Sequence, residues 1–279
     1  MGRTRLTITI DSKVISQVDQ QVDGVRIRNR SHAIEYLLSR SMMEKPKKAV
    51  ILAGGKGIKM RPFTYETPKV LLPIHSRPIL EHTIDLLRKN DIRDIVISLG
   101  HLGEKVSNYF GDGSKFGVKI SYKDQGENLK GTGGATKITK DLVGKNTFIV
   151  IYGDVLVNID LAEFFEFHQA QKKLGTIALT SAKNTSLYGV VNLRGGEILD
   201  FSEKPRLESS SHLISAGIYI FEPEIFDFFP KESQFSLEKD VFPKLAGERK
   251  LAGWVFEGPW FDVGTPETFE RAVKEWKEQ

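Results

Sequence analysis

The sequence predicts an α/β protein, a mostly parallel sheet with helices on both faces, preceded by a small basic segment of another kind. Three observations carry that expectation. From residue 49 onward, short apolar runs alternate with amphipathic stretches of helical period, the pattern of strands joined by helical crossovers. Two of those runs end on residues suited to a site: Ala49–Ala53 passes into Gly54 and Gly55, and Thr147–Tyr152 into Gly153 and Asp154. Ligands of such sheets gather beyond the C-terminal strand ends. The charge, finally, is uneven. The chain carries +4 over 279 residues, but residues 1–48 hold ten lysines and arginines against five acids, so the remainder carries −1. A basic terminal segment on a near-neutral body points to a polyanionic partner. The expected division is residues 1–43, a linker at 44–48 and a large domain at 49–279.

In the first segment, Leu6, Ile8 and Ile10 alternate with Arg5, Thr7 and Thr9, so Arg3–Ile10 reads as a half-buried strand. Val14, Ile15, Val18 and Val22 follow with helical spacing, Asp11 or Ser12 being the cap and Gly24 the stop. A second helix over residues 28–42 puts Ala33, Ile34, Leu37 and Leu38 on one face, with Ser31 as its cap and no capping box, because Ile34 takes the third helical position. One strand and two short helices cannot cover the strand's edges or build a core. Pairing with the same strand of a second copy solves both problems. Pro46 breaks the charged linker that follows.

The large domain then reads, in order, as a strand at Ala49–Gly55, a helix at Pro78–Asn90, a strand at Asp94–Gly100, a helix at Leu102–Gly111 and a strand at Lys119–Asp124. After these come one helix over Gly133–Leu142, a strand at Thr147–Asp154, a helix at Leu161–Lys173 and a strand at Gly175–Ala182. The loop after the first strand, "LAGGKGIKMRP" (Leu52–Pro62), packs three glycines and three cations together. It lacks the Gly-Lys-Ser/Thr of a Walker loop, and Met60 stands where a dinucleotide fingerprint has its third glycine. What remains is a turn that lets a ligand approach the backbone, with Lys56, Lys59 and Arg61 nearby. That suits a nucleoside triphosphate; an exposed basic turn is the other reading. The chain has no cysteine, which excludes disulfides, thiolate zinc sites and cysteine nucleophiles. No apolar run reaches the roughly 18 residues of a membrane span, and no signal-peptide core opens the chain, so a cytoplasmic protein with no membrane partner is expected.

Residues 1–43 resemble the ribbon-helix-helix DNA-binding domains along their whole length. The resemblance implies a homodimer whose paired strands enter the major groove of double-stranded DNA, with Arg5, Thr7 and Thr9 facing the bases and the amides near Ser31 holding a phosphate. A basic dimerisation arm that does not touch DNA is the alternative.

From about residue 48 onward eight strings stand in order: "ILAGGKGIKMRPFTYETPKVLLPI", "KGTGGA", "YGDV", "YGVV", "FSEKP", "SAGIYIFEPEIF", "FSLEKDVFPKL" and "PWFDVGTPETF". On them this part of the chain resembles the sugar-phosphate nucleotidyltransferases, or NDP-sugar pyrophosphorylases. The resemblance implies a Rossmann-like sheet and an in-line attack of a sugar 1-phosphate on the α-phosphorus of a nucleoside triphosphate, a step that rests on positioning and charge neutralisation. It implies Mg²⁺ held by Asp154 and Asp262. Lys69 would meet the reacting phosphates, with Lys59 in the place of the family's loop arginine. Leu52, Ala53, Gly54, Gly55, Lys56, Gly57 and Arg61 would line the nucleotide, Gly131, Thr132 and Gly133 would lie by its base or ribose, and Gln125 would read the base. Tyr188, Gly189 and Glu203 would face the sugar, and Lys204 its phosphate. The string "GTGGA" leans towards guanylyl transfer. The chain ends soon after "ERAVKEW", so the β-helix of some relatives is not expected, and the N-terminal ribbon becomes the candidate for dimers or higher oligomers.

The loop departs from the family pattern at two positions. Ile58 replaces a small hydroxyl residue and adds bulk, and Lys59 keeps a positive charge without the planar fork of arginine. Two functions are therefore expected: a nucleotidyltransferase forming an NDP-sugar, associated with DNA through its ribbon, or a transcriptional regulator whose similar pocket senses a nucleotide sugar or sugar phosphate.

Overall fold

The computed structural model describes residues 7–42, 45–126, 130–205 and 211–277. The chain divides into two compact units, Met1–Lys45 and Pro46–Gln279.

In the smaller unit, α1 spans Ser12–Asp19 and α2 spans Arg30–Met42. The Asp11 carboxylate caps α1 by accepting from the Lys13 amide at 2.7 Å. The helix stops at Asp19, well short of Gly24. Beyond it, Asp23 Oδ1 gathers the amides of Val25, Arg26 and Ile27 at 2.8, 2.7 and 2.8 Å, a side-chain turn that competes with further helix. Because α2 already begins at Arg30, Ser31 lies inside its first turn and is not the cap. Asn29 takes that role, its Oδ1 accepting from the His32 amide at 3.0 Å. The Arg30 guanidinium meets both Asp19 oxygens at 2.7 Å. The apolar cluster is small: Val18, Ile27 and Ala33 are buried, with Val22, Ile34 and Tyr36 against them. The expected strand is not formed over residues 7–10. A ladder needs a neighbouring strand, and among the described residues of one chain these four have none. Thr7 and Thr9 are exposed there; Arg5 and the rest of the expected strand up to Leu6 lie outside the described residues.

The larger unit runs β1 (Lys48–Ala53), β2 (Pro73–Ile74), β3 (Arg77–Pro78), α3 (Ile79–Lys89), β4 (Asp94–Leu99), α4 (Gly103–Phe110) and β5 (Lys119–Asp124). It continues with α5 (Gly131–Lys137), α6 (Lys140–Val143), β6 (Phe148–Tyr152), β7 (Val155–Val157), α7 (Leu161–Gln171), β8 (Gly175–Ser181), β9 (Gly189–Arg194) and β10 (Glu197–Glu203). It closes with β11 (Leu213–Phe221), α8 (Phe242–Gly247), β12 (Leu251–Val255), β13 (Trp260–Asp262) and α9 (Pro266–Glu275). Lys48, assigned from sequence to the linker, is the first residue of β1 and pairs in register with Asp94. The single helix expected over Gly133–Leu142 is two, interrupted at Ile138 and Thr139. There the buried Thr139 hydroxyl donates back to Thr136 O at 2.7 Å, a local bond that competes with helix continuation.

Nine strands form one sheet in the order β5-β4-β1-β6-β11-β8-β12-β10-β9. The first four are mutually parallel, and β12 is parallel to β8. β11 enters antiparallel between β6 and β8. Ile214 also pairs with Val190, which folds the β9–β10 hairpin back against β11. The central strands are apolar at nearly every residue because both faces are covered: Ala49, Val50 and Ile51 of β1 and Phe148–Ile151 of β6 are all buried. One cluster joins Val50, Phe148 and Val150 to Tyr219 and Phe221 of β11 and to Phe242 of α8.

Candidate active site

The C-terminal ends of β1 and β6 lie side by side, with the Gly153 amide donating to Leu52 O at 3.0 Å. Ala53 and Gly54 are buried, and the chain surfaces at Gly55 and Lys56. Gly54 is required by its neighbour: a Cβ there would stand 2.2 Å from Gln125 Nε2. Gln125, just past β5, is itself buried, and its Oε1 accepts from the Lys130 amide at 3.1 Å. The carbonyl side of its amide is thereby engaged, and the donor side is turned to the end of β1. The loop then doubles back. Gly57 adopts φ +60°, its carbonyl accepts the Thr64 hydroxyl at 2.7 Å, and a 3₁₀ turn covers Ile58–Met60. That turn corrects the expectation for Ile58. The side chain does not crowd the loop but stands 61% exposed, because Met60 takes the inward position and is fully buried. Lys59 is exposed, and the Arg61 guanidinium lies 5.0 Å from the Tyr65 ring centre.

Asp154 and Asp262 are brought together by β7 and β13, which pair antiparallel so that Asp262 stands opposite Val155. The Val263 amide donates to Asp154 O at 3.0 Å. Lys69 forms an ion pair with the Asp154 carboxylate. Burial by itself would lower the Lys69 pKa, but Asp154 and then Asp262 outweigh it and raise it, so the ammonium stays charged. Burial pushes the Asp262 carboxyl up, the Asp154 charge pushes it further, and Lys69, Lys204 and Lys59 oppose the rise. Two acids and three lysines from five separate segments thus share one electrostatic neighbourhood.

On the other side, Gly189 lies so close to Phe201 that a Cβ would come within 2.3 Å of the ring, and within 3.1 Å of Glu203 Oε2. Glu203 is largely buried and paired at 3.1 Å with the more exposed Lys204. Lys204 adopts a left-handed φ of +48°, its amide bonded to Tyr188 O at 2.9 Å. Tyr188 packs edge-on to Trp260 at 5.5 Å, and burial together with the nearby Asp262 charge raises its pKa.

The "KGTGGA" string is fixed by close packing. A Cβ at Gly131 would meet Phe235 O at 2.5 Å, at Gly133 the Phe235 ring at 2.2 Å, and at Gly134 Ser233 O at 2.3 Å. These glycines are demanded by packing against the segment before α8. The Thr132 hydroxyl, expected near the base or ribose, donates to Glu238 Oε2 at 2.6 Å and accepts the Leu237 amide at 3.0 Å. Sequence reasoning left Glu238 unassigned. It is buried, accepts also from Ser236 Oγ at 2.6 Å, and burial raises its pKa. Its helical placement beside Leu237, Val241 and Phe242 was the available signal.

The residues fit a hard divalent cation. Two adjacent carboxylates at strand ends supply oxygen donors, and Mg²⁺ needs only one or two of these beside substrate phosphates and water. No group of three or more His, Cys, Asp or Glu side chains forms a metal cage among the described residues.

Residues 48–279 match the family model described as "Nucleotidyl transferase". A UTP–glucose-1-phosphate uridylyltransferase of Synechocystis is 36% identical over 244 residues, covering 81% of this chain and 62% of that protein. A mannose-1-phosphate guanylyltransferase catalytic subunit beta of Dictyostelium discoideum is 35% identical over 227 residues, with 80% and 62% covered. The crystal structure of HddC from Yersinia pseudotuberculosis superposes with a TM-score of 0.71 at 25% identity, covering 82% of this chain and 99% of that one. The chain therefore spans under two thirds of the length of the two curated relatives.

Proposed function

The chain belongs to the nucleotidyl transferase family, and from that premise we propose that it forms an NDP-sugar from a nucleoside triphosphate and a sugar 1-phosphate. A phosphate oxygen of the sugar 1-phosphate bonds to the α-phosphorus of the triphosphate, the bond from that phosphorus to the β-phosphate bridging oxygen breaks, and pyrophosphate leaves. The observation that carries the reading is the convergence of Lys59, Lys69 and Lys204 on the Asp154–Asp262 pair. Asp154 and Asp262 would hold Mg²⁺, which when bound neutralises triphosphate charge. Lys69 would exchange its Asp154 partner for phosphate oxygens. Glu203 would accept from sugar hydroxyls beside Gly189, and Lys204 would hold the sugar phosphate.

Gln125 narrows the nucleotide. With Oε1 held by the Lys130 amide, it offers Nε2 as a donor, which suits the keto oxygen of uracil, thymine or guanine and opposes the amino group of adenine or cytosine. Pyrophosphate release measured across the nucleoside triphosphates with a panel of sugar 1-phosphates tests both points. Turnover with UTP, dTTP or GTP that is lost in Asp154→Ala supports the reading. Turnover unchanged in Asp154→Ala removes the metal assignment, and a preference for ATP or CTP removes the role of Gln125.

The smaller unit lies outside the residues matched by the family model. Its exposed apolar residues and basic balance support a dimer through residues 3–10 that contacts double-stranded DNA. DNA affinity that responds to nucleotide sugar would favour the regulator over the plain enzyme; affinity independent of ligand would sink it.

A further inference from the structure

We propose that a groove between α3 and the residues leading into β4 and β5 binds a small phosphate ester, at the end of the sheet opposite the candidate active site. The groove is a cavity of about 360 Å³, within the size range of small-molecule pockets. One wall is formed by Arg77 of β3 and by Glu81, Ile84, Asp85 and Arg88, which follow helical spacing along α3. The other wall comes from Arg93, just before β4, and from Lys115 and Phe116, just before β5.

The charge count favours an anion. Both acids are already engaged. Glu81 accepts from Arg77 Nε at 2.7 Å and from Tyr109 OH at 3.2 Å. Asp85 meets Arg88 at 2.5 Å and Lys89 at 3.1 Å. Arg93 reaches the highly exposed Asp91 only at 3.5 Å and otherwise donates to Gly117 O at 3.1 Å. Lys115 is exposed and forms no ion pair among the described residues. Arg93 and Lys115 are therefore available to a dianion, with Arg88 beside them: its Cδ lies 3.1 Å from where a Cβ on Gly117 would stand. The floor is apolar. Ile84 is buried, and the Phe116 ring is stacked on Tyr109 at 6.2 Å and packed on Phe110 at 5.1 Å. A cationic rim over an apolar floor fits a phosphate joined to a ring, either a sugar or a base.

The position gives the site a use. The groove sits at the start of β4 and β5, and those strands end at the proposed nucleotide pocket. β5 leads directly into Gln125, and β4 into Gly100, whose amide nitrogen lies 3.3 Å from a Cβ built on Gly54. Occupancy of the groove is expected to change the apparent affinity for the triphosphate, and the triphosphate to change occupancy reciprocally. Binding itself stands apart from the proposed transfer reaction, and calorimetry reads it whether or not pyrophosphate is released.

The experiment titrates inorganic phosphate, ribose 5-phosphate and adenosine 5′-monophosphate into the full chain, its Lys115→Glu variant and its Arg93→Glu/Lys115→Glu variant. The expected result is a binding class weakened at least about tenfold by Lys115→Glu and further by the pair, since each loses a charge-assisted contact. Turnover without the probe stays at the wild-type level. Tighter binding of the monophosphate nucleotide identifies a base over Phe116, and tighter binding of ribose 5-phosphate identifies a sugar. Equal affinities for all three probes across the wild type and both variants overturn the proposal, as does the absence of any binding in the wild type.

Discussion

The two units dispose of their apolar residues in opposite ways. In the larger one, strands such as β1 and β6 are covered on both faces, and a continuous cluster runs from Val50 through Tyr219 to Phe242. The smaller unit buries only Val18, Ile27 and Ala33 among its described residues, and leaves Ile8, Val14, Val25, Leu37 and Leu38 exposed. Its shape rests on short-range polar contacts, the Asp11 and Asn29 caps, the Asp23 turn and the Arg30–Asp19 pair. One unit has a core of its own; the other leaves apolar surface uncovered, as expected of a segment too short to fold alone.

Core truncation gives the widest contrast. Phe148→Ala should cost about 3–5 kcal/mol, independent of protein concentration, whereas Ile27→Ala should act through a midpoint that shifts with concentration if a second copy completes the small core. Denaturant melts at two concentrations read both. Next comes chemistry. Asp262→Ala should lower pyrophosphate release on the order of 10²–10³-fold while leaving the melt of the larger unit in place, because the acid sits at a strand end. Equal loss of folding and activity would instead make it a structural residue. If the smaller unit pairs two copies, Ile8→Glu with Leu38→Glu should lower the sedimenting mass to that of a monomer; an unchanged mass would detach the exposed face from assembly. Gly54→Ala should raise the KM for the triphosphate about tenfold through the displaced Gln125 amide, with the KM for sugar 1-phosphate held.

The smallest effect is a pH slope. Burial lowers the His168 pKa below its ordinary 6.5, with Glu222 only partly opposing it. Its ring contacts Thr176 Oγ1 at 2.7 Å and Glu222 Oε1 at 3.0 Å. The unfolded chain therefore takes up a proton first, so this contribution to stability is complete above pH 6.5 and is lost as pH falls towards the lower native value. His168→Gln should flatten the decline of melting temperature below pH 6.5. An unaltered slope would assign the decline to other groups.

Strands β1, β4, β6 and β8 were legible because a sheet covered on both faces writes itself as apolar runs. Asp154 and Lys69 were legible as motif residues, but their contact with each other was not, since it depends on how β1 and β6 align. The pairing of β7 with β13, which brings Asp262 to Asp154, joins segments about a hundred residues apart and leaves no local trace. Strand β11 was not read from sequence at all, and its antiparallel direction would have stayed hidden, because an apolar run reads the same both ways. The misplaced cap, Ser31 for Asn29, came from two residues of similar capping strength only two positions apart. The bond between Thr132 and Glu238 escaped because its partners stand 106 residues apart in the chain.

The antiparallel entry of β11 also sets an order on synthesis. β5, β4, β1 and β6 have all left the ribosome by Tyr152 and can close their shared ladder at once. β8 pairs only with β11 and β12, both of which follow it. At about 5–20 residues per second, the nascent chain holds β8 with both edges open for the roughly 30 residues before β11 begins, a window of seconds in which another chain's strand can take that place. The half proposed to hold the nucleotide is assembled early. The half proposed to hold the sugar must be shielded until its central strand arrives.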